Sequence, residues 1–196
     1  RSSDLFEWIG AQNYLGEKSH HRGANATSID ALMVGRKADG RNCLVMIEWK
    51  YTEKYASDDK YIPARAKIYD RFIMDPESPM LIGDPRHLYF EPYYQLMRQC
   101  LLGWRMTMSR EYGCDEYLHV HVIPEGNQEL RQTNTSRGLA GSSMSEAWKS
   151  VLKQPVLAAL VRHYVASVLD EDPLLLSAHD LPLPCRRVLT ALDRQP

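Results

Sequence analysis

The 196-residue chain is 44% hydrophobic and 25% charged, ordinary values for a globular protein able to bury a core. Its net charge of −1 excludes a polycation, so any binding of nucleic acid has to come from local patches. It holds no run of 18 apolar residues, so no transmembrane helix and no membrane partner are expected.

The cysteines, Cys43, Cys100, Cys114 and Cys185, are far apart and match no zinc spacing. They read as reduced thiols of a cytoplasmic protein, with Cys43 and Cys100 in the core. The N-terminus, Arg-Ser-Ser, lacks both an initiator Met and a signal-peptide core, and reads as trimmed or as a fragment.

Residues 4–16, DLFEWIGAQNYLG, place Leu5, Trp8, Ile9, Tyr14 and Leu15 as on one face of a helix capped by Asp4, with Glu17 at its C-terminal side. Residues 28–50, SIDALMVGRKADGRNCLVMIEWK, read as two apolar strands around Asp39-Gly40, a dipeptide suited to hairpin turns. A polar loop over 51–61 precedes a helix opened by Pro63. Residues 85–90 read as extended. Residues 91–111 predict the longest helix, with Tyr93, Leu96, Met97, Cys100, Leu101, Trp104 and Met108 on its apolar stripe and Gln95, Arg98, Gln99 and Arg105 opposite.

Residues 116–123 alternate as a strand. Residues 127–143 read as a mobile polar loop, 145–152 as a short helix capped by Ser143 or Ser145, 155–169 as an apolar helix, and 173–196 as an irregular, proline-rich tail. This order predicts one domain over residues 1–196, of the α/β (α+β) class, with a small mixed sheet flanked by helices.

The chemistry concentrates in the hairpin. The midpoint of Asp30 and Glu48 is position 39, inside the turn, so the two acids face each other across adjacent strands. Alternation puts Glu48 and Lys50 on one face and Trp49 on the other. Facing carboxylates destabilise a sheet unless they share a divalent cation or one keeps a proton. The plain alternative is a structural salt bridge of Lys50 with Glu48 or Asp30.

Outside the hairpin, His119 and His121 share a strand face and could hold a transition metal, although a half-exposed strand explains them as well. His20, His21 and Arg22, ahead of the first hairpin strand, could touch phosphate, and a surface loop explains them equally well. Lys60, Arg65, Lys67, Arg71, Arg98, Arg105 and Arg110 would form a phosphate channel if they border the site; a solvated charged face is the equal alternative.

An acid in a strand, a turn, and an apolar strand ending in Glu-x-Lys resemble the PD-(D/E)xK, or restriction endonuclease-like, nuclease superfamily. Here Asp30 follows Ser28-Ile29 where the motif has Pro. The strings IEWKYTEKY, YYQLMRQCLLGWR, HVHVIPEGN and SEAWKSVLKQP extend the resemblance, over most of residues 15–155, to a bacterial group of restriction endonuclease-like proteins.

The resemblance implies a mixed sheet between helices and a Mg²⁺-dependent DNA endonuclease, with Mn²⁺ able to substitute. Asp30, Glu48 and the Trp49 carbonyl would hold the metal, and Lys50 would orient or activate the water. It implies further roles for Glu17, as an extra metal-binding acid, and for Gln95, on the long helix. Glu7 is a poorer candidate than Glu17, and Glu53 a minor one. DNA is the implied partner, with RNA left open, and a homodimer would supply the two sites that cutting both strands calls for. The alternatives are a catalytically inactive nuclease fold that binds nucleic acid or protein, and a hydrolase of a smaller phosphoester.

Overall fold

The computed structural model describes residues 6–22, 26–37, 39–50, 54–55, 58–123, 126–153 and 161–164. Its strands are β1 (Phe6–Trp8), β2 (Ile29–Arg36), β3 (Asn42–Trp49), β4 (Cys114–Val122) and β5 (Val161–Tyr164). They form one sheet in the order β1-β2-β3-β4-β5. The first three are mutually antiparallel, while β3–β4 and β4–β5 are parallel. The helices are α1 (Pro63–Ile73), α2 (Tyr93–Met108), α3 (Gln128–Gln132) and α4 (Met144–Ser150). This is the α/β restriction endonuclease-like arrangement, a small mixed sheet flanked by helices. No helix among the described residues is long and apolar enough to cross a membrane.

The hairpin register runs from Ala31↔Ile47 to Arg36↔Asn42, pairs that all centre on position 39. One further step along it puts Asp30 opposite Glu48, as the sequence predicts. Gly40 makes the turn at φ +86°, a conformation costly for other residues, and the Asp39 carboxylate accepts from the Arg41 N–H at 3.0 Å.

Helix α2 lies on one face of the sheet, and twelve of its sixteen residues are buried. Leu44, Met46 and Tyr117 from the sheet join Leu96, Met97, Cys100 and Leu101 from α2 in the main core. Full burial of each such aliphatic side chain contributes roughly 1.5–3 kcal/mol. Gly103 sets how closely the layers approach: a Cβ there would stand 2.7 Å from Met46 Sδ and 2.7 Å from the Tyr117 ring. On the opposite face, Ala31, Val45 and Ile47 form a second apolar cluster with Met33, Trp49, Leu118, Val120 and Val122.

Four expectations are corrected. The predicted helix over 4–16 is strand β1 followed by turns. Glu7 and Gly10 have positive φ, Gly10 leaves no room for a Cβ beside Tyr14, and Asn13 clasps the backbone of Glu17 with both ends of its amide. The stretch expected to be extended at 85–90 opens with a 3-10 turn, Pro85–Leu88, capped by Asp84.

The expected mobile loop at 127–143 contains α3 and a tightly bonded turn. There Asn134 joins Tyr93, Ser136, Leu139 and Gly141, and Thr135 and Ser136 are buried. Within the apolar segment 155–169, Val161–Tyr164 is strand rather than helix; its other residues, and the predicted irregular tail, lie outside the described residues.

Gly103→Ala is expected to lower stability by roughly 1–3 kcal/mol through overpacking, read as a lower urea midpoint at unchanged slope. An unchanged midpoint would mean that α2 can rise off the sheet without cost.

Candidate active site

The sheet face under α2 carries the predicted charges. Glu48 and Lys50, one alternation apart at the end of β3, are both buried, and their side chains meet at 2.5 Å. Glu48 Oε1 also accepts from Gln95 Nε2 at 2.7 Å, and Glu48 Oε2 accepts from Gln99 Nε2 at 2.7 Å. Gln95 and Gln99 are one turn apart on α2, so both reach down to the same carboxylate. The second N–H of Gln99 goes to the Ser28 carbonyl at 3.1 Å, which ties α2 to the entry of β2.

Burial pushes the Glu48 carboxyl above its usual range, against the pull of the Lys50 ammonium, and the neighbouring charge of Asp30 pushes the same way as burial. Burial draws the Lys50 ammonium downward, but the charge and hydrogen bond of Glu48 outweigh it and hold Lys50 above its ordinary value. Burial thus sets the direction at Glu48, against the ammonium and the Gln99 amide, and the partner carboxylate sets it at Lys50.

Asp30 is half-buried and its Oδ2 accepts the Trp49 N–H at 2.8 Å. The Lys50 N–H points the other way, to the Val122 carbonyl of β4 at 2.9 Å. In a strand the N–H and C=O of one residue point to the same edge, so the Trp49 carbonyl lies on the Asp30 side. Asp30, Glu48 and the Trp49 carbonyl offer hard oxygen ligands, the type that Mg²⁺ takes, and Mg²⁺ is commonly held by one or two carboxylates with several waters retained. On that chemistry they fit the implied metal.

Glu17 is buried in a different set of contacts. It accepts from the Thr27 N–H at 2.7 Å, the Thr27 hydroxyl at 2.6 Å and the Tyr69 hydroxyl at 2.6 Å, and Arg98 stands 3.6 Å away. The structure therefore places it against the approach to β2 and does not bring it into contact with Asp30 or Glu48. Among the described residues no group of three or more His, Cys, Asp or Glu is poised around a common ion. Glu7 is exposed on β1, and Glu53 lies outside the described residues.

Three features escaped the sequence. Gln99 sits on what reads as a solvated helix face yet is only 1% exposed; its i+4 spacing from Gln95 was the available signal. His119 and His121, expected to be half-exposed, are buried with their Nε2 atoms 3.1 Å apart, so one donates to the other and the accepting imidazole is neutral. His121 pairs in register with Glu48, which puts the histidines beside the acid. Glu91, at the start of α2, is a further half-buried acid: burial raises its carboxyl, and Lys60, Arg98 and Lys50 act against that.

The predicted basic channel divides in two. Lys60 and Arg98 lie near Glu91 and Lys50, and Arg98 and Arg65 also stand over the Tyr94 ring. Arg71 and Arg105 gather instead on Phe72. His21 and Arg22 are exposed, as a surface loop requires.

Lys50→Met is expected to destabilise the fold by about 3–5 kcal/mol by leaving a buried carboxylate without its cation. The folded value of Glu48 lies above the unfolded one, so the folded state binds the proton more tightly and this acid's contribution falls as pH rises between the two. Loss of the ammonium raises the folded value further. The difference in urea midpoint between variant and wild type should therefore shrink on acidification from about pH 8 to about pH 5; a difference that grows instead would place the proton elsewhere.

A family model described as restriction endonuclease associating with ARP matches residues 4–171. The match extends beyond the 15–155 resemblance at both ends and takes in every strand of the sheet. No curated protein and no solved structure matches the chain. With a match over most of its length and the acid–acid–lysine constellation on one face of the sheet, the chain belongs to this restriction endonuclease-like family.

Proposed function

We propose that the chain is a Mg²⁺-dependent DNA endonuclease whose site is built on Asp30, Glu48 and Lys50. The observation that carries the reading is the burial of Glu48 and Lys50 at a strand end, with Glu48 opposite Asp30, under two glutamines that hold the Glu48 carboxylate. Membership of a restriction endonuclease-like family supports nuclease chemistry in general.

Asp30, the open lone pair of Glu48 Oε2 and the Trp49 carbonyl would hold Mg²⁺. When bound, the ion would offset charge on the phosphate and make a coordinated water easier to deprotonate. The remaining work falls to side chains of the chain. Lys50 would orient the attacking water and stabilise charge on the phosphoryl oxygens, a contribution that is larger in a site shielded from solvent. Gln95 and Gln99 would fix the Glu48 carboxylate without neutralising it, because amide N–H groups donate but carry no charge.

Glu17 enters this reading as the anchor of the segment leading into β2. Binding a metal through its Oε1 would cost it the hydroxyl bonds of Thr27 and Tyr69.

Supercoiled plasmid incubated with the protein and Mg²⁺ should be nicked or linearised. Asp30→Ala and Lys50→Ala should each reduce the rate at least about 100-fold, in the range of losses seen when one transition-state donor is removed. Activity that survives both substitutions would overturn the assignment. Loss of cleavage in the wild type together with no Mn²⁺ heat in calorimetry, while DNA is still retarded on a gel, would support a binding protein on a nuclease fold.

A further inference from the structure

A cavity of about 290 Å³ opens past the end of β4, lined by Ile123, Gln128, Arg131, Gln132, Ser143, Met144 and Ser145. Its position follows from the sheet. Parallel pairing of β3 and β4 runs through Glu48↔His121 and Trp49↔Val122, and the Lys50 N–H bonds the Val122 carbonyl. The next step of that register sets Ile123 beside Lys50, about 4.8 Å across at the backbone. Ile123, one wall of the cavity, therefore neighbours Lys50 across the two strands, on the side away from Asp30.

Its lining is two-sided. Ile123 and Met144 supply an apolar wall, while Arg131, Gln128, Gln132 and Ser145 supply a cationic and hydrogen-bonding rim. Arg131 has no acidic partner among the described residues. Glu129, the acid on the same short helix, is held by Lys54 at 2.7 Å. A guanidinium with no acidic partner among the described residues, at the rim of a cavity whose wall Ile123 neighbours Lys50, matches the charge and fork geometry of a phosphate. The volume is near the lower limit of about 300 Å³ for small-ligand sites, room for one nucleotide and too little for paired, stacked bases.

Resting on the nuclease reading above, we infer that this cavity is a subsite for a single unstacked nucleotide of the cut strand, next to the phosphodiester at Lys50. Its sugar or base lies on Ile123 and Met144, and its outer phosphate meets Arg131. Such a site favours a single-stranded, frayed or mismatched position over intact duplex, because taking a base out of the stack costs least there.

The test is fluorescence anisotropy of an end-labelled single-stranded oligonucleotide of about twelve nucleotides, without divalent metal, on the full chain. Arg131→Gln should weaken binding about tenfold and lower the slope of log affinity against log salt by about one, while Arg131→Lys keeps most of that slope. Ser145→Trp, which fills the cavity and leaves every charge in place, should weaken binding with the slope unchanged. Urea midpoints equal to wild type identify the folded variants, and Arg131→Gln carries the test if the tryptophan variant fails to fold.

Wild-type binding in both folded variants overturns the subsite, and does so even if the wild type cuts plasmid. Binding that depends on Arg131 in a protein that cuts nothing leaves the subsite standing and removes the nuclease reading. A wild type that does not bind the oligonucleotide overturns the subsite directly.

Discussion

The desolvation of one carboxylate governs this structure. Glu48 is 2% exposed at the end of the central strand, a position that would be very costly for an unsupported charge. Its support comes from three directions: Lys50 from its own strand, and Gln95 and Gln99 from the helix above. The helix can supply those amides only because it lies flat on the sheet and is buried on nearly every side. Holding Glu48 and packing α2 are thus the same structural requirement seen at two places.

A second layer of contacts supports the first. Tyr61, Tyr89, Tyr94 and Tyr69 follow one another at ring spacings of 5.3, 5.6 and 6.0 Å, and link the outer loop to α1 and α2. Arginines lie on this ladder at Tyr61 and Tyr94, and Arg98 continues from Tyr94 to the hydroxyl of Thr27 at 2.9 Å. Cation–aromatic contacts of this kind contribute about 0.5–1 kcal/mol when exposed and more when dry. Through Arg98 and Glu17 the ladder holds the residues that lead into Asp30, and Gln99 of the same helix reaches both Ser28 and Glu48, so α2 takes part in setting both acids.

The hairpin was legible in the sequence because two independent constraints agree there. Strand alternation has a fixed period of two, and Asp39-Gly40 pins the turn, so counting alone put Asp30 opposite Glu48. The long helix was legible from its apolar stripe, but its other face was not: a polar residue over a buried carboxylate and one in water look alike in a linear string, which hid Gln99 and the environment of Arg98. The histidines were hidden for a similar reason, since alternation marks a shared strand face but not what covers it. Residues 6–16 misled because their apolar spacing suits a helix, whereas Gly10, Asn13 and Gly16 favour turns, and pairing with β2 decided the outcome. Within the polar segment 127–143, Asn134, Thr135 and Ser136 bond inward to Tyr93, Glu91 and His87, which composition alone does not distinguish from solvation.

Gly103 has a consequence for the reach of a side chain as well as for packing. The gap between helix and sheet that it permits is the length over which a glutamine at 99 must span to reach Glu48. A bulkier residue at 103 would lift the helix, and no neutral side chain ending in an amide is longer than glutamine. Positions 48, 99 and 103 are therefore coupled through one helix-to-sheet distance, so that a larger residue at 103 would also cost Glu48 its amide from Gln99.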